Sequence, residues 1–358
     1  MAVAGQYSLL DRAVHGMAFH SLEVQKGVAE IESLLFRRRL ADVTLRNPIF
    51  ITSLPRAGTT LLLDVLSSLQ GFASHTYRDM PFVLCPLIWS ALSRNFRRRG
   101  GERARAHGDG MVVGYDSPEA FEEVVWQGFW PDQYHSDHID LWDTQATLSE
   151  FEEFFRDHVR KIIALRKGGE TIRYVSKNNA NIARIGYLSR LFPDCVIVVP
   201  FRSPLDHAGS LLRQHHSFLE IHARNDFAKR YMAWIGHFEF GQLLRPIDFK
   251  KQLCTLQAHS PEGLDYWLCY WNSAFEWLLE NRTSNIRLIS YERLCGDPYG
   301  ALARLGREIG LNDLAPILVW SDRIRTPSSY KFADCEYDFS VLEAARATHQ
   351  QLCEVAII

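Results

Sequence analysis

Two short apolar runs do most to decide what this chain can become, because each ends in a polar turn that opens into a helix. Pro48-Ile49-Phe50-Ile51-Thr52 leads into Ser53-Leu54-Pro55-Arg56-Ala57-Gly58-Thr59-Thr60, then a helical stretch to Leu69. Cys195 to Pro200 leads into Arg202-Ser203-Pro204-Leu205-Asp206-His207-Ala208-Gly209-Ser210 and Leu211-Leu212. A continuous apolar run bounded by turn residues reads as a strand buried on both faces, and such strands belong to parallel sheets joined by crossover helices. The expected class is α/β, a central parallel β-sheet flanked by helices. Ligands of such sheets sit at the carboxyl ends of the strands, so the two loops are expected to share one pocket.

The remaining pattern fits around that sheet. From Leu9 to Leu40 apolar residues recur three and four apart (Leu10, Val14, Met17; Val24, Val28, Ile31, Leu34, Leu35), the period of amphipathic helix. Residues 1–46 are expected to form an N-terminal helical extension packed on the core by that stripe, with Arg37-Arg38-Arg39 a cationic helix end facing solvent. Phe151–Leu165 and Ile182–Leu191 read as helices, Asn285–Ser290 as a strand and Pro298–Ile309 as a helix. Residues 76–150 read as an insertion between the loops and 311–358 as a C-terminal tail with little regular signal. Within the insertion, Arg94–Gly110 holds six arginines and four glycines and reads as a solvated basic excursion, with a lid as the alternative. The 358 residues are expected to form a single domain with these additions.

The 40 Lys and Arg against 42 Asp and Glu leave a net charge of −2, which excludes a bulk polyanion binder and makes nucleic acid an unexpected partner. Any anion site must be local. The seven cysteines are odd in number and form no C-x-x-C pair, as suits buried thiols in a reducing compartment. No apolar run approaches the ~20 residues that cross a bilayer, and Met1 to Leu10 lacks a basic leader region. A cytoplasmic protein is expected.

The first loop has the composition of an anion cradle. Backbone N–H groups at a helix N-terminus are unsatisfied and electropositive, Gly58 lets the backbone approach phosphate or sulfate oxygens, and Arg56 adds a fixed charge. A nucleotide kinase loop, G-x-x-x-x-G-K-[ST], would need glycine at Ser53 and lysine at Thr59. That mismatch disfavours Mg-dependent NTP hydrolysis and favours an anionic donor handled without metal. In the second loop Arg202 and Ser210 can converge on one phosphate.

Together these motifs resemble the sulfotransferases that use PAPS (3′-phosphoadenosine 5′-phosphosulfate), over most of the chain from Phe50 to about Gly310. Pro55-Arg56-Ala57-Gly58-Thr59-Thr60 is similar to the family's P-R-S-G-T-T loop, Ala57 replacing the usual serine. Arg202, Pro204, Asp206 and Ser210 match R-x-P-x-D-x-x-x-S. Leu191-Phe192-Pro193-Asp194-Cys195 resembles the L-F-P-D-A lead-in, and Ser290-Tyr291-Glu292-Arg293-Leu294 with Asp297-Pro298 the Y-E-D-L…D-P segment. The resemblance implies a P-loop NTPase-like sulfotransferase fold and PAPS as co-substrate, without a metal. It implies the 5′-phosphosulfate on Pro55, Arg56, Ala57, Gly58, Thr59 and Thr60, the 3′-phosphate on Arg202 and Ser210, and the adenine near Tyr291.

Sulfuryl transfer needs a base for the acceptor hydroxyl and cations against the departing bridge oxygen. Arg56 and Lys177, in Tyr174-Val175-Ser176-Lys177-Asn178-Asn179, are the expected cations. Many cytosolic members carry a catalytic histidine where this chain has Asn179, and an amide takes no proton at neutral pH. The likeness is therefore to the carbohydrate, tyrosylprotein and bacterial branch, whose acidic base lies nearer the first loop. In His75-Thr76-Tyr77-Arg78-Asp79 the expected base is Asp79, with His75 its rival. Glu122 and Glu123 are weaker rivals for the base and read rather as a solvated helix face. His135-x-x-His138 with Asp132, Asp137 and Asp140 has metal-ligand spacing but reads as a polar loop. Trp126, Phe129, Trp130, Tyr134 and Trp142 are expected to line the cleft for a small-molecule, glycan or tyrosyl hydroxyl, and Trp267, Tyr270, Trp271 and Trp277 to pack in the core. A kinase-like NTPase and a non-catalytic nucleotide-binding module remain the alternatives.

Overall fold

The computed structural model describes residues 9–93, 103–104, 112–113, 117–166, 172–251, 253–326 and 336–358. Five strands form its central sheet: β1 (Ile49–Ile51), β2 (Phe72–Ala73), β3 (Arg173–Lys177), β4 (Val196–Phe201) and β5 (Ile286–Ser290). Their order is β2-β3-β1-β4-β5, and every pairing is parallel. The α/β class expected from the two apolar runs is the one observed. Ile51 stands in register with Lys177 on one side and Val198 on the other, so β1, β3 and β4 end at one edge of the sheet.

Alternation along the strands feeds two apolar layers. Ile49, Ile51, Val175 and Val198 point to a cluster completed by Leu62, Leu63 and Leu66 of the Thr59–Ser67 helix and by Leu302 and Leu305 of the Pro298–Glu308 helix. Phe50, Tyr174, Ile197 and Val199 point to the opposite layer, where helices Ser149–Arg166, Pro204–Arg224 and Leu264–Glu280 supply Phe151, Phe155, Leu211, Trp267 and Trp271. Each such Leu or Ile fully withdrawn from water contributes about 1.5–3 kcal/mol. The strands are therefore fixed by sandwiching on both faces rather than by their shortness.

Two sequence expectations are corrected here. The N-terminal helices form (Leu9–Ala18, Leu22–Leu35, Arg37–Ala41), but the second buries Gln25, Ala29 and Glu32, while Val24, Ile31, Leu34 and Leu35 are exposed. Its inner face is set by a buried ion pair, Lys161 Nζ to Glu32 Oε2 at 3.1 Å, and by Lys161 donating to the Ala29 carbonyl at 2.7 Å. A buried charge must be paired, so that pair outranks the apolar stripe in choosing the helix face. The C-terminal stretch is the second case. It contains a regular helix, Phe339–Val355, burying Leu342, Ala345, Thr348 and Leu352 against Leu264–Glu280, and Ile357 N–H then donates to the Leu288 carbonyl of β5. The basic stretch Arg94–Gly110 lies outside the described residues, except that residues 103–104 pair antiparallel with 112–113. Among the described residues no helix is long and apolar enough to cross a membrane.

Candidate active site

The first loop leaves β1 with two residues in the left-handed backbone region, Arg56 at φ +70° and Gly58 at φ +100°. A non-glycine residue held there is uncommon and strained, and such turns aim successive N–H groups into a concave anion nest. Gly58 has a second constraint, since a methyl group on it would meet the Tyr291 ring at 2.7 Å. The helix it caps starts at Thr59, so electropositive backbone ends where the expected 5′-phosphosulfate would lie.

The second loop closes on the first. Arg202 donates from a terminal nitrogen to the Arg56 carbonyl at 3.3 Å, Arg56 Nε points to Ser210 Oγ at 3.4 Å, and the Arg202 guanidinium lies 5.2 Å above the centre of the Tyr291 ring. Nε of Arg202 is buried with no hydrogen-bond partner among the described residues, a donor that an anionic ligand would satisfy. Asp206 does not join this group: its carboxylate takes the Ser203 hydroxyl at 2.7 Å, fixing the first turn of the Pro204–Arg224 helix.

His207, unremarked in the sequence, locks the loops together. Trp271 Nε1, which can only donate, reaches His207 Nδ1 at 3.1 Å, so the opposite nitrogen carries the proton and donates to the Pro55 carbonyl at 2.7 Å. Burial drives this imidazole down to about 3, so it stays neutral and keeps that tautomer at any ordinary pH.

Two clefts open at this edge of the sheet. The smaller, about 520 Å³, is lined by Arg56, Thr59, Thr60, Gln214, Phe218 and Phe240. The larger, about 630 Å³, is walled mainly by apolar groups including Leu54, Leu211, Phe238, Leu244, Ile247, Trp267 and Tyr270. Pro55, Lys177, Asn179, His237 and Glu239 line both. Asn179 organises that shared wall. Its amide oxygen takes the Thr59 hydroxyl at 3.3 Å, its carbonyl takes Thr52 Oγ1 at 3.1 Å, and its Nδ2 donates to Glu239 Oε1 at 3.1 Å. A carboxylate only accepts, so the amide orientation is fixed by chemistry.

A sulfotransferase family model matches residues 48–247, which contain both loops and more than half of the chain. The chain belongs to the sulfotransferase family. Solved structures similar to this sulfotransferase include STF1 of Mycobacterium tuberculosis, at 15% identity over 89% of this chain and 80% of that one with a TM-score of 0.48. Another is STF9 of Mycobacterium avium, at 13% identity with the same coverages and a TM-score of 0.49. A third is a sulfotransferase of Alicyclobacillus acidocaldarius, at 13% identity over 86% and 93% of the two chains with a TM-score of 0.40. No match was found among curated protein sequences.

In this sulfotransferase the two residues expected to serve as base line neither cleft. Asp79 is buried; it accepts from the Thr76 backbone N–H at 2.9 Å, pairs with Arg166, and has Nδ1 of His75 3.4 Å away. Burial alone would raise its carboxyl, but the His75 hydrogen bond and the Arg166 charge outweigh that and hold it below the usual range. His75 in turn meets His158 Nε2 at 3.1 Å. The chain from Asp79 through His75 to His158 ties the start of the insertion to the Ser149–Arg166 helix.

Two further expectations change. Glu122 and Glu123 are buried, not solvated. Glu122 takes hydrogen bonds from Trp126, Tyr174 and Asn181, and Glu123 from Asn178, Tyr134 and Arg184, the last at 2.9 Å. The first aromatic set lines neither cleft, whereas the second packs in the core as expected, with Trp267 and Trp271 fully buried. Trp126 and Trp142 meet edge to face and both lie 4.2 Å from the buried Arg184 guanidinium, while Trp267 and Tyr270, buried in the core, also border the larger cleft. Glu239 and His237 were missed because they lie between helices in a segment without periodicity or motif.

Proposed function

We propose that this sulfotransferase moves the sulfuryl group of PAPS to a hydroxyl of a small apolar or aromatic acceptor, with Glu239 as the general base. The observation that carries the reading is the shared wall: an anion cradle and an apolar cleft meet at Lys177, Asn179, His237 and Glu239. The donor's phosphosulfate would lie on the first loop with its sulfur toward that wall, its 3′-phosphate on Arg202 and Ser210, and its adenine against Tyr291. The partly apolar cleft with Phe238, Trp267 and Tyr270 suits a phenol or compact alcohol better than an extended glycan.

In this mechanism Glu239 takes the acceptor's proton as the acceptor oxygen forms its bond to sulfur. The bond between sulfur and the bridging oxygen breaks, and its electron pair leaves on the 5′-phosphate of adenosine 3′,5′-bisphosphate. Arg56 and Lys177 offset the charge that grows on that oxygen. Asn179, where other members carry a histidine base, positions Glu239 instead of taking the proton itself. The reading includes a cytoplasmic setting, supported by the six described cysteines, all of them free. Incubation with PAPS and a panel of phenols and alcohols, followed by mass spectrometry, tests it. A sulfate ester made without added metal is expected; Mg-dependent ATP turnover with no ester would overturn it in favour of a kinase-like enzyme.

A further inference from the structure

The histidine pair with metal-ligand spacing reads from the sequence as a polar loop, but the fold gathers it into something more specific. Residues 134–140 form a loop closed at its base, with Tyr134 bridging to Ile139 and the Asp140 N–H donating to the Gln133 carbonyl at 3.0 Å. Ile139 N–H donates to the Pro246 carbonyl and its own carbonyl accepts from the Asp248 N–H, both at 2.9 Å, so the loop is also tied from behind. In extended backbone neighbouring side chains point to opposite sides. Ile139 accordingly turns inward and lines the larger cleft, while His138 and Asp140 on either side of it turn out.

On that outer side three donors converge. Nε2 of His135 lies 2.8 Å from one carboxylate oxygen of Asp140, and Nε2 of His138 lies 3.3 Å from the other. The two imidazoles are stacked with centres 4.3 Å apart, and one ligand atom from each of the three residues falls within 4.8 Å of the others. Nδ1 of His138 meets Asp137 Oδ1 at 2.8 Å. That outer carboxylate can hold a proton on Nδ1, which would leave Nε2 to ligate a cation that replaces its contact with Asp140, the arrangement in which histidines ligate metals. Two imidazoles and one carboxylate are a borderline donor set, suited to Zn²⁺ rather than to Mg²⁺ or Ca²⁺, which want oxygen alone.

We propose that His135, His138 and Asp140 bind a zinc-class divalent cation, with Asp137 as the positioning residue, and that the bound cation stiffens the acceptor wall at Ile139. The cation stands outside the transfer chemistry, whose charges come from Arg56 and Lys177. Its effect on the acceptor rests on the reading of the larger cleft as the acceptor site, whereas its binding does not.

The test uses chelator-treated full-length protein without a histidine tag, titrated calorimetrically with Zn²⁺, and Co²⁺ as an optical probe of coordination. The expected result is one equivalent of Zn²⁺ bound by the wild type and by His20→Ala, an exposed histidine elsewhere. His135→Ala and His138→Ala should lose it with unchanged circular dichroism, and Asp137→Asn should weaken it about 10–100-fold. Absent binding, or one equivalent retained in both histidine variants, would overturn the site. With zinc the acceptor KM should change in the wild type and not in His138→Ala, the PAPS KM staying constant; an unchanged acceptor KM would overturn the stiffening alone. Zinc binding without any sulfuryl transfer would refute the enzymatic reading and leave the metal site standing.

Discussion

Glu239 accepts a hydrogen bond from Asn179 Nδ2 at 3.1 Å, and that contact places a carboxylate on the wall common to both clefts. Replacing the carboxylate by its isosteric amide removes the proton acceptor and keeps the shape. Glu239→Gln is expected to lower kcat by about 10²–10⁴-fold while leaving calorimetric affinity for adenosine 3′,5′-bisphosphate unchanged. Asn179→Ala should show a smaller fall in kcat, because it releases Glu239 without removing it.

Asp79 should behave as a structural residue. Asp79→Asn leaves Arg166 without its charge partner, so urea denaturation is expected to show a loss of about 1–3 kcal/mol. The pH profile of turnover should keep its shape. A vanished acidic limb in that variant would return the base role to Asp79.

Gly58 cannot take a side chain. Its φ of +100° disfavours any L-residue, and the added methyl of Gly58→Ala would press on Tyr291 at 2.7 Å. Donor affinity should therefore fall much further than it does in Thr60→Ala, which removes one hydroxyl and leaves the backbone cradle. Equal affinities in the two variants would show that the backbone does not hold the anion.

Buried neutral histidines set the response to acid. Burial lowers His207 to about 3 and His215 to about 4, and holds His158 well below its ordinary value. In the unfolded chain the same groups take up protons near pH 6.5. The unfolded state therefore binds more protons below that pH, and stability is full above it and lost progressively as pH falls toward 4. Urea midpoints at pH 7.5, 6 and 5 should decline in that order; a constant midpoint would contradict the burial of these rings.

What was legible in the sequence was what is local. Strand, turn and helix follow one another within about twenty residues around Gly58 and again around Ser210, so period and punctuation reveal both loops and the α/β class. Burial of charge was not legible. Glu122 and Glu123 look solvated until Arg184, Asn178 and Asn181 fold over them, and the inner face of the Leu22–Leu35 helix is chosen by Lys161, far along the chain. The C-terminal helix escaped notice because its inner face mixes Leu342 and Leu352 with Ala345 and Thr348, which weakens the apolar stripe. Glu239 reaches the site from a stretch whose position is set by the elements around it, so no motif marks it.

The most direct test of the central claim is calorimetric titration of adenosine 3′,5′-bisphosphate into the protein in the presence of EDTA, with Arg202→Ala alongside. Losing a charge-assisted hydrogen bond to phosphate costs about 1.5–3 kcal/mol, roughly ten- to hundredfold in affinity. The account predicts metal-independent binding to the wild type, weakened by that factor in the variant. No binding, or binding that Arg202→Ala leaves untouched, would contradict it.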